Sequence, residues 1–505
     1  MMQHFITVLL ALLSSVGVVH ALDMPTFKVT VELKRHAGDA PRFASGLFGG
    51  NVQWVENGDH LLDDQGTWQE KMLKAARELS PPVVRFPGGA LSSRYDWEDG
   101  VGPVENRPDG LNFNGEPEPM RFGTDEFLEF LSDLNAAGMI TVNLKQDPAH
   151  NARWLEYIND NRKKHSPAPE VPYWEIGNES YYNADPSFVT AKEYVQFFIG
   201  HYRALKAIDP DVKVGAILQV NHIGHSYSKN VIPEIDTWNR DVAAGLKQAG
   251  IVADFYGIHF YAPFDAHENE QINRQAILAA PGVFQAMLLQ LKGELKKLDA
   301  LAPFHVTEYG VSLLFGMTTW KYNLDFVAGV YLGDMFLTYA QNGIQDAYYW
   351  SLLSDWCFGA YGDDSPFYHE YLGLPWRQMP YTYRPSGNAI LAFKPYRDLP
   401  LLDTTVKSRN LRFQPLGIIT DDHQIPIANA LGLVNNDAGN IILLAVNRSA
   451  KDVVTITTLL DGKKLTPIGA ELLAGDKKKN SPTVDSSAGT VNLPPMSLTA
   501  ITLTP

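Results

Sequence analysis

At 505 residues the chain is longer than most single domains, so one large domain with a smaller accessory domain is the expected organisation. Apolar residues make up 45% and charged residues 20%, proportions of a compactly folded chain that exclude a collagen, a coiled coil or extended disorder. A net charge of −15, with no basic run longer than Lys477-Lys478-Lys479, argues against a nucleic-acid partner and is compatible with a neutral polymer.

Residues 5–19 form an apolar stretch too short to span a bilayer, and Val19-His20-Ala21 resembles a signal-peptidase site. Residues 1–21 are therefore expected to be an export signal, although the n-region offers His4 and no Lys or Arg. The mature protein would be secreted or periplasmic. No later segment reaches the roughly 18 apolar residues of a membrane span. The only cysteine, Cys357, cannot form an intramolecular disulfide, so stability rests on core packing.

Within residues 22–45 the alternating run 27–33 is expected to return and pair with the C-terminal domain. From 46 to 397 short β-rich runs alternate with helical patterns. The strands are expected at 46–49, 82–86, 140–144, 172–176, 212–218, 255–261, 304–307 and 347–350. Eight strands with intervening helices predict an α/β fold, a (β/α)8 barrel. One helix is expected to start on Thr124 as N-cap, to carry Phe127, Phe130, Leu131 and Leu134 at helical spacing, and to end at Gly138. A second carries Tyr194, Phe197, Phe198, Tyr202 and Leu205 before Asp209-Pro210 stops it. From 398 to 505 short alternating runs separated by Gly, Asn, Asp and Pro read as an antiparallel β-sandwich. There Asn447-Arg448-Ser449 matches a glycosylation sequon, a pattern short enough to arise by chance.

Hydrolysis of a glycosidic bond needs two carboxyl groups, one to protonate the leaving oxygen and one to attack the anomeric carbon. In a barrel these belong at strand C-termini. Trp174-Glu175-Ile176-Gly177-Asn178-Glu179 ends the fourth strand, where Gly177 permits a tight turn and Asn178 and Glu179 emerge on the rim. Glu175 lies on the strand itself. Glu308 ends the seventh strand. Glu179 is the candidate general acid/base and Glu308 the candidate nucleophile; the alternatives are a surface acid and a solvated or capping Glu. Arg85, in Arg85-Phe86-Pro87-Gly88-Gly89 at the end of the second strand, suits holding Glu308 ionised, or else forms a structural ion pair. His259 and Tyr261 point to one side of the sixth strand and can line the site. The aromatic-rich segment from Trp350 to Tyr383 either stacks on sugar rings or packs on itself, and Trp350 is its best site candidate. GxSxG, HExxH, Walker and CxxC patterns are absent, and Gly362-Asp363-Asp364-Ser365 reads as a turn rather than a calcium loop. Neither a cofactor nor a metal is implied.

These residues carry a resemblance. Arg85-Phe-Pro-Gly-Gly89, Tyr95-Asp-Trp97, Asp99-Gly-Val-Gly-Pro103, Arg107, Phe122-Gly-Thr-Asp-Glu-Phe127, Glu156-Tyr-Ile-Asn159 and the Gly177-Asn178-Glu179 block together resemble the family 51 glycoside hydrolases. Those are mostly α-L-arabinofuranosidases, with some endoglucanases, within the clan of retaining barrel enzymes. The resemblance implies Glu179 as acid/base, Glu308 as nucleophile, Asn178 as a ligand of the sugar 2-hydroxyl, and Arg85 and His259 as supports. Three departures bear on the substrate: the sugar-binding Glu of the first barrel loop is replaced by Asn51 and Gln53, the third-strand loop reads Val142-Asn-Leu-Lys-Gln-Asp-Pro148, and the nucleophile sits in Thr307-Glu308-Tyr309. The expected activity is release of α-L-arabinofuranose from plant-type carbohydrate. An endo-β-glucanase or other β-glycosidase is the runner-up, and an inactive carbohydrate-binding protein the third reading.

Overall fold

The computed structural model describes residues 26–220, 232–312, 321–353, 358–362, 381–420, 423–435, 439–477 and 481–504; the expected export signal and Cys357 lie outside them. Eight strands close into a parallel barrel: Gly49–Asn51, Val83–Phe86, Ala137–Val142, Tyr173–Ile176, Lys213–Ile217, Phe255–Pro263, Phe304–Ser312 and Asp346–Tyr349. Their near-continuous apolar character follows from burial on both faces, inside against one another and outside against the helices.

Two strands sit elsewhere than the sequence suggests. Residues 45–48 form a 3-10 turn, Ser45–Phe48, and the first strand is Gly49–Asn51. Phe48 leaves the barrel wall to pack at 4.5 Å from Phe336 and 6.1 Å from Phe393, so its hydrophobicity belongs to the layer beneath the helices. The third strand starts at Ala137 and contains Gly138. The helix before it, Thr124–Leu134, ends on Asn135 at φ 51°, a left-handed cap that asparagine tolerates. Its N-cap is Gly123, whose N–H donates to Glu126 at 2.9 Å, while the Thr124 hydroxyl accepts from Trp154 Nε1. The helix Ala191–Ile208 is closed by a Thr190/Glu193 capping box and ends at Asp209.

By length and composition Glu270–Lys297, at 28 residues, is long and apolar enough to cross a membrane, contrary to the expectation that no later segment would be. Here it lies along the barrel with Ile277, Phe284, Leu288 and Leu291 buried.

The C-terminal strands join the N-terminal one in a ten-stranded sheet. Thr26–Lys34 runs antiparallel to Leu401–Lys407 and parallel to Val453–Leu460, so the sheet carries one parallel pair in an otherwise antiparallel order. The sheet curls back on itself: Ser486 Oγ donates to Pro467 O at 2.7 Å, tying its two edge strands, Thr466–Ala474 and Thr483–Asp485, together. The result is the sandwich. It docks on the barrel helix Phe326–Gln341, where Arg448 grips Asp334 at 2.6 and 2.9 Å and Asn429 Nδ2 donates to the same carboxylate. The sequon Asn447 is fully buried, its amide donating to the carbonyls of Asp452, Leu493 and Pro494, so the folded chain offers no acceptor there.

Candidate active site

Arg85 is fully buried, and a guanidinium out of water must spend its donors on fixed partners. It donates from Nε to Glu175 Oε2 (2.9 Å), from Nη1 to Asn51 Oδ1 and Glu308 Oε1 (2.9 Å each), and from Nη2 to Asn178 Oδ1 (2.8 Å). One cation thus ties the first, second, fourth and seventh strands together. Glu175, which the sequence places off the site, is the fully buried counter-charge that supports this arrangement, with Thr141 Oγ1 donating to it at 3.1 Å. Gly257 on the sixth strand has no room for a Cβ, because the Glu175 carboxylate fills that space.

Local backbone irregularity aims both candidate catalytic carboxylates. After Ile176 the chain turns through Gly177 at φ 80°, and Glu179 itself sits at φ 43°, a left-handed conformation that costs a non-glycine residue about 1 kcal/mol or more. On the seventh strand the register with the sixth slips between Val306 and Glu308, a bulge that sets Glu308 level with His259. The strand continues to Ser312, beyond its expected end at Thr307.

Glu308 is buried and accepts from Tyr261 OH on Oε2 at 2.9 Å as well as from Arg85 on Oε1. The Glu179 side chain is about one-third exposed, and His259 Nδ1 lies 2.9 Å from its Oε1 and 3.6 Å from Glu308 Oε2. The two carboxylate oxygens therefore lie no more than about 6.5 Å apart, the sum of those two contacts. Burial pushes the Glu308 carboxyl above its usual range; His259, Arg85 and the Tyr261 hydrogen bond pull it back, while Glu179 adds to the rise. Burial would drive the His259 imidazole down, but the carboxylates of Glu308 and Glu179 outweigh it and leave it raised.

The structure brings Arg85, Asn178, Glu179, His259, Tyr261 and Glu308 into one cluster. Trp350 follows the eighth strand, half-buried, with its ring against Gly88 and Gly89. Elsewhere in its segment, Tyr361 and Tyr383 pack on each other with ring centroids 5.0 Å apart, and Lys71 of the helix Glu70–Leu79 sits over the Tyr381 ring. Trp356, Phe367, Tyr368, Tyr371, Trp376 and the Asp363-Asp364-Ser365 turn lie outside the described residues. Among the described residues no group of three or more His, Cys, Asp or Glu could hold a metal ion.

Asn51 is placed differently from its expected role as a sugar contact. As the last residue of the first strand it points into the barrel, donates to the carbonyls of Thr307 and Tyr348 at 3.1 Å, and accepts from Arg85. Both ends of its amide are consumed by protein. Gln53 lies beside Gly88 and Trp350, and a residue the sequence reading missed fixes it: Asp59 accepts from Gln53 N and Gln53 Nε2, both at 3.0 Å. Asp59 belongs to a run from Glu56 to His60 in which every residue has positive φ, 50° to 76°. Such a left-handed turn leaves no apolar periodicity in a sequence; its faint signal is Asn57-Gly58-Asp59, residues that tolerate αL. With its NH2 held by Asp59, Gln53 keeps a buried Oε1 without a partner among the described residues.

A family model described as the α-L-arabinofuranosidase 1 domain matches residues 75–262. An α-L-arabinofuranosidase C of Emericella nidulans is 28% identical over 48% of this chain and 49% of its own length. An intracellular exo-α-(1→5)-L-arabinofuranosidase of Acetivibrio thermocellus is 32% identical over 40% of this chain and 41% of its own. The matches thus span less than half the length of these curated relatives. In three dimensions the likeness covers nearly everything: a family 51 α-L-arabinofuranosidase from Bifidobacterium longum superposes with a TM-score of 0.73 at 18% identity, covering 94% of this chain and 99% of that one. Over residues 75–262 the chain is thus similar to the α-L-arabinofuranosidases, and its fold is that of a family 51 enzyme. A family 44 endoglucanase of Clostridium thermocellum shares the fold at a TM-score of 0.59 and 13% identity, over 95% of this chain and 100% of that one. The stretch matched by the family model takes in Arg85, Asn178, Glu179, His259 and Tyr261 and stops short of Glu308 and Trp350. Asn51 and Gln53 precede it.

Proposed function

We propose that the protein is a retaining glycoside hydrolase that releases α-L-arabinofuranose from plant-type carbohydrate. The observation that carries this reading is the shared contact of His259 with Glu179 and Glu308, at 2.9 and 3.6 Å, which gathers the two carboxylates about one imidazole, an arrangement compatible with double displacement. Glu308, held by Arg85 and Tyr261, attacks the anomeric carbon while Glu179 protonates the departing oxygen. Glu179 then takes a proton from the water that releases the sugar. Asn178, its oxygen fixed by Arg85, presents its NH2 to a sugar hydroxyl. The arabinoside specificity rests on the relatives' names. The runner-up, an endo-β-glucanase or other β-glycosidase, draws on the engaged Asn51 amide, since Gln53 then stands in the first loop where the arabinofuranosidases it resembles carry a Glu.

Glu308→Ala should abolish turnover of aryl α-L-arabinofuranoside, and azide should restore part of it with formation of a glycosyl azide, because only a missing nucleophile leaves that face open. Near-normal activity of the variant would refute the mechanism. Turnover by the unaltered protein of β-D-xyloside, β-D-glucuronide, β-D-galactoside or β-glucan, and not of the arabinoside, would replace the sugar and leave the mechanism in place.

A further inference from the structure

Beside Glu179 the loops after the second and fourth strands form an open-sided cleft of about 210 Å³ lined by Glu179, Tyr182, Asp185, Leu91, Arg94 and Phe113, with Glu308 not among its described lining residues. That is below the roughly 300–1,000 Å³ of sites for drug-sized ligands and suits a single ring. Because the departing oxygen must reach Glu179, a ring seated in this cleft is assigned to the leaving group. Phe113 stands 47% exposed at the tip of the small hairpin that pairs Asp109–Leu111 with Pro117–Pro119, an aromatic face held in water beside the candidate acid. Arg94 spans from this loop to the hairpin, donating from Nη1 to Asn112 O at 2.9 Å, and no carboxylate among the described residues pairs with it. At the far rim Lys145 Nζ donates to Pro186 O at 2.8 Å, bringing a second cation to the edge. The other carboxylate lining the cleft, that of Asp185, accepts on Oδ1 from Ser93 Oγ, Ser187 N and Ser187 Oγ, each at 2.7 Å, and is turned to its own loop. The cleft thus sets an exposed guanidinium and an exposed aromatic ring beside the acid.

Resting on the hydrolase reading above, the geometry points to a leaving-group subsite for an anionic sugar, one bearing a carboxylate or a sulfate ester, with Phe113 stacking on the ring and Arg94 holding the anion. A planar guanidinium fits either anion through paired hydrogen bonds, and steering by Arg94 and Lys145 adds a salt-sensitive term to capture.

The test compares kcat/KM on three disaccharides that differ only at C6 of the leaving sugar: the uronate, its methyl ester and the 6-sulfate. The unaltered protein should prefer at least one anionic form to the ester by tenfold or more, less so at high salt, and Arg94→Gln should bring that ratio toward one. Preference for uronate or for sulfate identifies the anion. Phe113→Ala should raise KM for all three. Equal rates on anion and ester, or an Arg94→Gln ratio unchanged from the parent, would overturn the proposal. Should no glycoside be cleaved, the hydrolase reading fails by itself, and calorimetric titration of Glu308→Gln with the uronate and the 6-sulfate still decides the subsite: binding weakened tenfold by adding Arg94→Gln supports it, and binding indifferent to Arg94 refutes it.

Discussion

At the scale of single residues the site turns on how a buried carboxylate stays useful. Arg85 alone does not fix the charge of Glu308, because burial outweighs it; the balance is struck with His259 and Tyr261. Since the nucleophile must be ionised, the acid limb of kcat/KM reports its titration and should lie above the usual carboxylate range. Tyr261→Phe deletes a hydrogen bond that favours the ionised form, so the limb should move to higher pH while the fold is retained; a limb that stays put or moves down would show that Glu308 is not the group titrating. Glu179→Gln should cost about 10² to 10⁴ in kcat/KM, which reports the step that expels the leaving group, on a sugar leaving group. The loss should be far smaller on a dinitrophenyl glycoside, which departs without a proton, and equal losses on both would remove Glu179 from the acid role. Glu179, Glu308, Arg85, His259 and Tyr261 were legible because strand-end position and side-chain alternation in a barrel are written in the sequence. The supporting layer was not. Glu175 and Asp59 act by facing Arg85 and Gln53 across 90 and 6 positions, and nothing in local pattern says which acid a buried donor will meet.

At the scale of elements, every barrel strand announced itself by its apolar residues, yet the first was displaced by three positions, and that displacement is why Asn51 was read as a loop ligand. Phe48 is as hydrophobic as a strand requires, but its partners are Phe336 and Phe393 on the helices Phe326–Gln341 and Pro385–Phe393, known only once the chain is folded. The opposite end of the barrel carries an electrostatic load with no catalytic use. Asp346, at the start of the eighth strand, is pushed by burial from 3.8 up to about 6, and His305, 3.5 Å away, is driven by burial down to about 3, so near neutral pH the imidazole is uncharged and gives the carboxylate no ion pair. A carboxyl whose pKa is higher folded than unfolded binds its proton more tightly in the folded state; its ionisation costs stability progressively from about pH 4 to about pH 6, and the full cost persists above that window. Asp346→Asn keeps the shape and removes the charge. At pH 7 the variant should be more stable by ~1–3 kcal/mol, with the difference closing below pH 4. Urea midpoints at the two pH values measure it, and a variant less stable than its parent at pH 7 would mean that the carboxylate is paying its way through contacts other than His305.

At the scale of the molecule, the barrel and the sandwich are joined through a polar contact buried in an apolar seam. The sequence showed the change of texture near residue 398 and the returning strand at 27–33, but not the seam, because Asp334 sits within the apolar helix Phe326–Gln341 and its partner Arg448 lies 114 positions away inside what reads as a sequon. Both side chains are 2% exposed. Arg448 Nε and Nη2 reach Asp334 at 2.6 and 2.9 Å, Asn429 Nδ2 donates to Asp334 Oδ1 at 2.8 Å, and Gln341 Nε2 donates to Ala430 O at 2.8 Å, so helix and sheet share one satisfied network. Removing one charge strands the other. Asp334→Ala leaves a buried guanidinium without its counter-charge, with only the Pro426 carbonyl at 3.4 Å, and the Asn429 amide with only the Thr338 hydroxyl at 3.4 Å, and should destabilise by about 3–5 kcal/mol. Replacing both partners by apolar residues of similar volume, Asp334→Leu with Arg448→Met, strands nothing charged and should cost less than Asp334→Ala alone. The comparison separates the value of the pair from the penalty of orphaning half of it. Because the seam lies behind the barrel helix and away from the Glu179–Glu308 cluster, the double variant should also keep the parent's KM below its unfolding transition. A double variant less stable than Asp334→Ala, measured by urea midpoint, would show that the ion pair itself, and not merely its completeness, holds the two domains in register.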